Sequence, residues 1–143
     1  MNECVIDVHK RNERKRMYEY RASLVRIIDG DTIDVDLDLG FDVVLKKQRI
    51  RLYGINTPES RTRDLEEKKY GLAAKARLAE LIANADDLTI KTSVDGKARG
   101  KYGRILGTIF ADDVNLNTTL ITEGQAVVYY GGAKQTNKWW RIT

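Results

Sequence analysis

Residues 18–54 carry the pattern that most constrains the fold, because apolar and polar side chains alternate along them with a two-residue period. In DTIDVDLDL (31–39), four aliphatic residues alternate with aspartates. Successive side chains of a strand point to opposite faces, so this stretch predicts a half-buried strand with an acidic outer face. The segments YRASLVRII (20–28) and VVLKKQRIRLYG (43–54) predict strands on either side of it in the chain.

The rest of the chain adds helices and two more strands. EEKKYGLAAKARLAELIANA (66–85) is rich in residues of high helix propensity, and VNLNTTLITEGQA (114–126) predicts a short helix that Gly124 ends. LTIKTSV (88–94) and RILGTIFA (104–111) predict strands. One face of the first helix is expected to consist of Leu72, Ala76, Ala79 and Ala83, with Leu78, Leu81 and Ile82 alongside.

This order of elements predicts the fold class. Three strands, a helix, two strands and a helix are typical of an α+β, mainly β, protein: a five-stranded barrel of the oligonucleotide-binding (OB) type with two to three covering helices. The 143 residues suffice for one domain with a core. We expect a charged, basic N-terminal arm over residues 1–17 and the barrel domain over residues 18–143.

Composition limits the chemistry that the chain can carry. The net charge of +4 and the pI of about 9.2 favour a polyanionic partner without establishing one. The single cysteine, Cys4, excludes an intrachain disulfide and cysteine-based metal frameworks, and the single histidine, His9, disfavours a histidine-centred site. Without an apolar run near twenty residues or a signal-peptide core, we expect a cytoplasmic monomer that does not bind membranes.

The segment IIDGDT (27–32) offers a first candidate site. Asp29 and Gly30 form a dipeptide that commonly connects hairpin strands, so a plain turn is one interpretation. Asp31, however, begins the next strand, where acids are depleted. A carboxylate there can point across a barrel mouth and bind a hard cation such as Ca²⁺.

Two further segments combine arginine with other polar residues. In RIRLYGINTPES (49–60), Arg51 precedes Glu59 by a few residues. A guanidinium group matches two phosphate oxygens, and a carboxylate beside it can take a proton from water. In GKYGRILG (100–107), Arg104 could complete a clamp on a phosphoryl group. The alternatives are an arginine that covers apolar neighbours and a basic loop that binds phosphates non-specifically.

Taken with KKYGLAA (68–74) and VNLNTTLITEGQA (114–126), these segments resemble the staphylococcal-nuclease-like (thermonuclease) family from about residue 18 to about residue 130. The resemblance implies a small five-stranded barrel with helices. It also implies a Ca²⁺-dependent phosphodiesterase, a nuclease that hydrolyses DNA and RNA and leaves 3′-phosphate ends.

The resemblance also implies a set of site residues. Catalytic roles fall on Arg51, Glu59 and Arg104; metal binding on Asp31, Asn56 and the backbone carbonyl of Thr57; and substrate binding on Lys101, Tyr102 and Tyr130.

Asn56 departs from the family pattern, which has a second metal-ligating aspartate at its position. An amide oxygen can bind Ca²⁺ but brings no charge, so we expect weaker binding, partly compensated by Asp29, Asp34 or Asp36.

Three functional classes are compatible with the sequence. The first is an active metal-dependent nuclease, which the complete set of catalytic side chains favours. The second is a catalytically weak or inactive barrel that binds nucleic acid, which Asn56 favours. The third is an interaction module.

Trp139 and Trp140 near the C-terminal end of the sequence have two possible roles. They either seal the core or stack on bases.

Overall fold

The computed structural model describes residues 18–92 and 104–129. In chain order the elements are β1 (Glu19–Asp29), β2 (Thr32–Gly40), β3 (Val43–Leu52), β4 (Ile55–Asn56), α1 (Leu65–Ala83), β5 (Leu88–Thr92), β6 (Ile105–Ala111), β7 (Val114–Asn115), α2 (Leu116–Thr122) and β8 (Val127–Val128). The predictions for the N-terminal arm and for Lys101, Tyr102, Tyr130, Trp139 and Trp140 lie outside the described residues.

The five longer strands form a closed barrel in the order β3-β2-β1-β5-β6. Neighbours pair antiparallel except at the closure, where β3 and β6 pair in parallel. Strand β7 extends the sheet beyond β6, and β4 and β8 form a separate two-stranded sheet. The predicted five-stranded OB-type barrel with covering helices is confirmed, and two helices are present in the described ranges.

The barrel interior holds the aliphatic residues of the alternating strands. In β2, Ile33, Val35 and Leu37 are buried as predicted. Leu39 is 39% exposed, because β2 and β3 run on past the barrel as a hairpin. Strand β3 pairs with β6 only over residues 50–52. The far end of the β2–β3 hairpin is therefore flanked on one side only, where β1 pairs with β2.

Helix α1 begins after an N-cap residue, Asp64. The side chain of Asp64 accepts hydrogen bonds from the backbone amides of Glu66 and Glu67, and these two acids occupy the first turn, where the helix dipole favours negative charge. The buried residues of the helix are Gly71, Ala74, Leu78 and Ile82. The expected burial of Leu78 and Ile82 is thus confirmed. The face predicted to consist of Leu72, Ala76, Ala79 and Ala83 was wrong, since Leu72 is 46% exposed and Ala76 and Ala83 are exposed as well. Alanine and leucine occur all round this helix, so the apolar pattern does not single out one face.

Glycines end two elements at the places where the chain reverses. Strand β3 ends before Gly54 (φ 81°), which turns the chain into β4, and Gly124 (φ 76°) follows α2 as predicted. Within the described residues, neither helix is long and apolar enough to cross a membrane.

Candidate active site

The turn between β1 and β2 lies directly against helix α1. A Cβ atom at Gly30 would be 2.8 Å from the Cβ of Ala74 and 3.1 Å from Cγ2 of Thr57. Only glycine therefore allows the turn, the helix and the segment after β4 to approach this closely. The turn interpretation is confirmed, and Asp31 belongs to the turn rather than to the strand, since β2 begins at Thr32. Asp31 is only 7% exposed, and its role as a metal ligand stays a prediction.

Asp31 joins three segments of the chain. Its Oδ2 accepts a hydrogen bond from the amide of Thr57 at 3.0 Å, and its Oδ1 accepts one from the hydroxyl of Thr32 at 2.9 Å. Its backbone carbonyl accepts from the amide of Leu52 at 2.8 Å. The carboxylate thereby fixes the segment that leads to Glu59 against the ends of β2 and β3.

Arg51 faces the residues expected to bind metal rather than open solvent. Its side chain is 12% exposed, and Nη1 donates to the carbonyl of Leu52 at 2.9 Å. Nη2 lies 3.5 Å from Oδ2 of Asp31 and 3.5 Å from Oδ1 of Asn56. The guanidinium group is thus partly neutralised by one carboxylate, and its Nη2 atom faces two acceptor oxygens.

The donors at this point suit a hard divalent cation. Asn56 and Thr57 are 7% and 4% exposed, and the buried Oγ1 of Thr57 has no hydrogen-bond partner in the described parts of the chain. Carboxylate, amide and carbonyl oxygens are the ligands that Ca²⁺ prefers. No group of three Asp, Glu, His or Cys side chains comes together within residues 18–92 and 104–129. The oxygen atoms of Asp31, Asn56 and Thr57 are thus of the type that fits a hard cation, with one carboxylate among them.

The three acids expected to compensate for Asn56 are held elsewhere. Asp29 accepts hydrogen bonds from the amide and hydroxyl of Ser60. Asp34 binds two arginines, of which Arg49 contributes most to lowering its pKa. The pKa of Asp36 is lowered mainly by the hydrogen bond from the amide of Lys47. The predicted compensation is therefore not seen in the geometry.

Glu59 combines a fixed backbone with an exposed side chain. Its amide donates to Oε2 of Glu67 at 3.1 Å, and a Cβ atom at Gly71 would clash with its backbone carbonyl. The next residue, Ser60, is fixed by Asp29 and by the carbonyl of Ile28. The side chain of Glu59 is exposed. The backbone of this residue is therefore fixed against α1, while its carboxylate faces solvent.

Arg104 immediately precedes β6 at the closure of the barrel. In the parallel register Ile50 pairs with Ile105 and Arg51 with Leu106. Ile50 and Ile105 are buried, so the alternation of side chains places Arg51 and the half-buried Arg104 on the outer face of adjacent strands. The structure thus brings Arg51 and Arg104, the two arginines predicted to bind phosphate, to the seam where β3 and β6 close the barrel.

The residues that support this site were missed by sequence reasoning. Gly30 and Gly71 allow close contacts, Asp29 holds Ser60, and Glu67 holds the amide of Glu59. Gly30 and Gly71 both lie in segments that carry the family resemblance, but no local pattern reveals what they contact.

The fold and this cluster define an OB-type barrel that carries arginines beside buried oxygen donors at its closing seam. The family model described as staphylococcal nuclease homologue matches residues 49–140, and the chain belongs to this family. The family resemblance predicted from the motifs is confirmed. The matched region contains Arg51, Asn56, Glu59 and Arg104, whereas Asp31 precedes it.

Several curated proteins are similar to this chain. It is 34% identical over 122 residues to Endonuclease YncB of Bacillus subtilis (strain 168), covering 85% of this chain and 53% of that protein. It is 32% identical over 130 residues to Micrococcal nuclease of Shigella flexneri (83% and 64%). It is 35% identical over 101 residues to Thermonuclease of Staphylococcus intermedius (71% and 55%). The chain spans between about half and two thirds of the length of these relatives.

Proposed function

We propose that this chain is a Ca²⁺-dependent nuclease that hydrolyses DNA, and also RNA, to products with 3′-phosphate ends. The observation that carries the proposal is the convergence of Arg51 and Arg104 at one seam, with Glu59 tied to the same cluster through the contact between Thr57 and Asp31. The family membership and the names of the relatives, an endonuclease, a micrococcal nuclease and a thermonuclease, support it.

The side chains divide the chemistry between them. Arg51 and Arg104 bind oxygens of the scissile phosphate, and they stabilise the negative charge that grows on those oxygens as the phosphorus is attacked. Glu59 orients the attacking water or accepts its proton, which its exposed carboxylate allows. Lys101 and Tyr102 contact a neighbouring nucleotide phosphate, and Tyr130 lines the nucleotide pocket.

The cation would be held by the Asp31 carboxylate, the Asn56 amide oxygen and the backbone carbonyl of Thr57. When bound, a divalent cation supplies positive charge to a phosphoryl oxygen. The amide of Thr57 donates a hydrogen bond to Asp31 at 3.0 Å, so the chain itself holds these two ligand residues side by side.

The test is cleavage of heat-denatured DNA at slightly alkaline pH, with Ca²⁺ or with chelator. We expect Ca²⁺-dependent cleavage by the native protein. Glu59→Gln should lower kcat by about 10²- to 10⁴-fold, the usual contribution of general acid–base catalysis, while DNA binding is retained. Glu80→Gln is the matched control, because Glu80 is an exposed acid of α1 whose partner is Arg77.

A second candidate function is favoured by Asn56. If the missing charge prevents productive metal binding, the barrel binds nucleic acid without cutting it. No cleavage by either protein with Ca²⁺, Mg²⁺ or Mn²⁺, together with retained binding, would establish this alternative. Loss of all polyanion binding would instead favour the interaction module.

A further inference from the structure

An ion triad crosses strands β1, β2 and β3 on the outer face of the barrel. The carboxylate of Asp34 accepts from Nε of Arg49 at 2.9 Å and from Nη2 of Arg49 at 3.1 Å. Nε of Arg26 donates to the same carboxylate at 3.2 Å. The three residues are register neighbours, since Asp34 pairs with Arg26 on one side and with Arg49 on the other.

Stability alone does not account for the second arginine. One carboxylate neutralises one cation, so the triad keeps one positive charge, and neither arginine forms another ion pair among the described residues. The side chains of Arg26 and Arg49 are 57% and 44% exposed. Ion pairs that are this exposed contribute little to stability. What Asp34 does is hold two guanidinium groups in fixed positions at the surface.

The triad lies beside the candidate active site. Arg49 and Arg51 are two residues apart on β3 with no register irregularity between them, so both lie on the outer face. Their backbones are about 7 Å apart along the strand. Arg26 lies two strands further, about 10 Å across the sheet. Guanidinium groups therefore lie on the outer face from Arg51 and Arg49 on β3 to Arg26 on β1, with Asp34 of β2 between them.

We propose that Arg26 and Arg49, oriented by Asp34, bind a phosphate that flanks the scissile phosphate in the same nucleic-acid strand. The donors are the guanidinium N–H groups that Asp34 does not use. Contacts to phosphate carry no sequence information, so the site accepts single strands of any sequence. This inference rests on the proposed function and adds a subsite to it.

The first test measures binding of a labelled single-stranded DNA oligonucleotide by fluorescence anisotropy over a range of salt concentrations. The protein carries Glu59→Gln to prevent cleavage. We expect Arg49→Gln and Arg26→Gln each to raise Kd about fivefold near 0.1 M salt and to lower the salt slope by about 0.7. Arg77→Gln is the matched control, because Arg77 is also bound by carboxylates, those of Glu80 and Glu123. It should leave Kd and slope unchanged.

A second test compares substrates of different length with the active protein. A dinucleotide with one phosphodiester cannot reach a flanking site. The ratio of kcat/KM for a long single strand to kcat/KM for the dinucleotide should fall about fivefold in Arg49→Gln and stay constant in Arg77→Gln.

The outcomes separate this inference from the proposed function. Unchanged Kd, salt slope and length ratio in Arg26→Gln and Arg49→Gln would overturn the flanking site, while native cleavage would leave the nuclease standing. A native protein that neither binds nor cuts nucleic acid would overturn both.

Discussion

Restoring the missing charge at residue 56 tests how the candidate site binds metal. Asn56→Asp replaces an amide by a carboxylate of nearly the same size at a position that is 7% exposed. The new carboxylate would stand near Arg51, whose Nη2 is 3.5 Å from both the Asn56 and the Asp31 oxygen. The guanidinium group limits the repulsion between the two carboxylates, so we expect the variant to fold.

The electrostatic gain sets the size of the effect. At an effective dielectric constant of about 20, a carboxylate and a divalent cation about 4 Å apart interact by about 8 kcal/mol. Dehydration of the carboxylate, its repulsion by Asp31 and its pairing with Arg51 offset most of this. We expect Ca²⁺ affinity to rise by about 10- to 100-fold, or about 1.4 to 2.8 kcal/mol.

Isothermal titration calorimetry with Ca²⁺ measures the affinity directly, and the rise of Tm with Ca²⁺ provides an independent measure. Asn115→Asp is the control, because it adds the same charge at the N-cap of α2. Equal Ca²⁺ affinities for the native protein and Asn56→Asp would refute the assignment of residue 56 as a ligand. Micromolar affinity in the native protein would refute the expectation of weak binding.

Two further predictions concern the supports of the site. Gly71→Ala should lower the free energy of unfolding, measured in urea, by about 1 to 2 kcal/mol. The new Cβ would lie 2.7 Å from the amide nitrogen of Ser60, and this overpacking outweighs the gain in helix propensity. Unchanged stability would contradict the close approach of the two backbones. Arg49 lowers the pKa of Asp34, so this ion pair stabilises the fold above the unfolded pKa near 4 and is lost as the pH falls through the lower folded value. Asp34→Asn should therefore cost up to about 1 kcal/mol at neutral pH and less in acid, as urea titrations at the two pH values would show; a constant difference would argue against it.

The barrel could be predicted from sequence because its signal is local. The alternation in β2 follows directly from Ile33, Val35 and Leu37, which all turn inward. The face of α1 could not be predicted in the same way, because a helix rich in alanine has no distinct apolar stripe. Gly71 is buried there because the backbone of Glu59 lies against it, and such a contact has no periodicity.

The candidate site, like the fold, was predictable from the sequence only in part. The family motifs indicated Arg51, Asn56 and Glu59, and the structure places Arg51 and Asn56 in one cluster. The engagement of Asp29 with Ser60 was not foreseeable, because it joins positions that meet only after α1 has packed. Local sequence patterns indicate which side chains could contribute to the site, whereas long-range packing determines which of them are engaged by other residues.

The parallel closure between β3 and β6 also determines at what point in folding the two arginines of the candidate site can meet. Ile50 and Ile105 are separated in the chain by α1 and β5, so their pairing requires the closure of a long loop, and such pairing forms slowly. Arg51 and Arg104 flank this pairing, so the two guanidinium groups come together only after the barrel has closed. A ligand that needs both arginines at once can therefore bind only to the closed barrel.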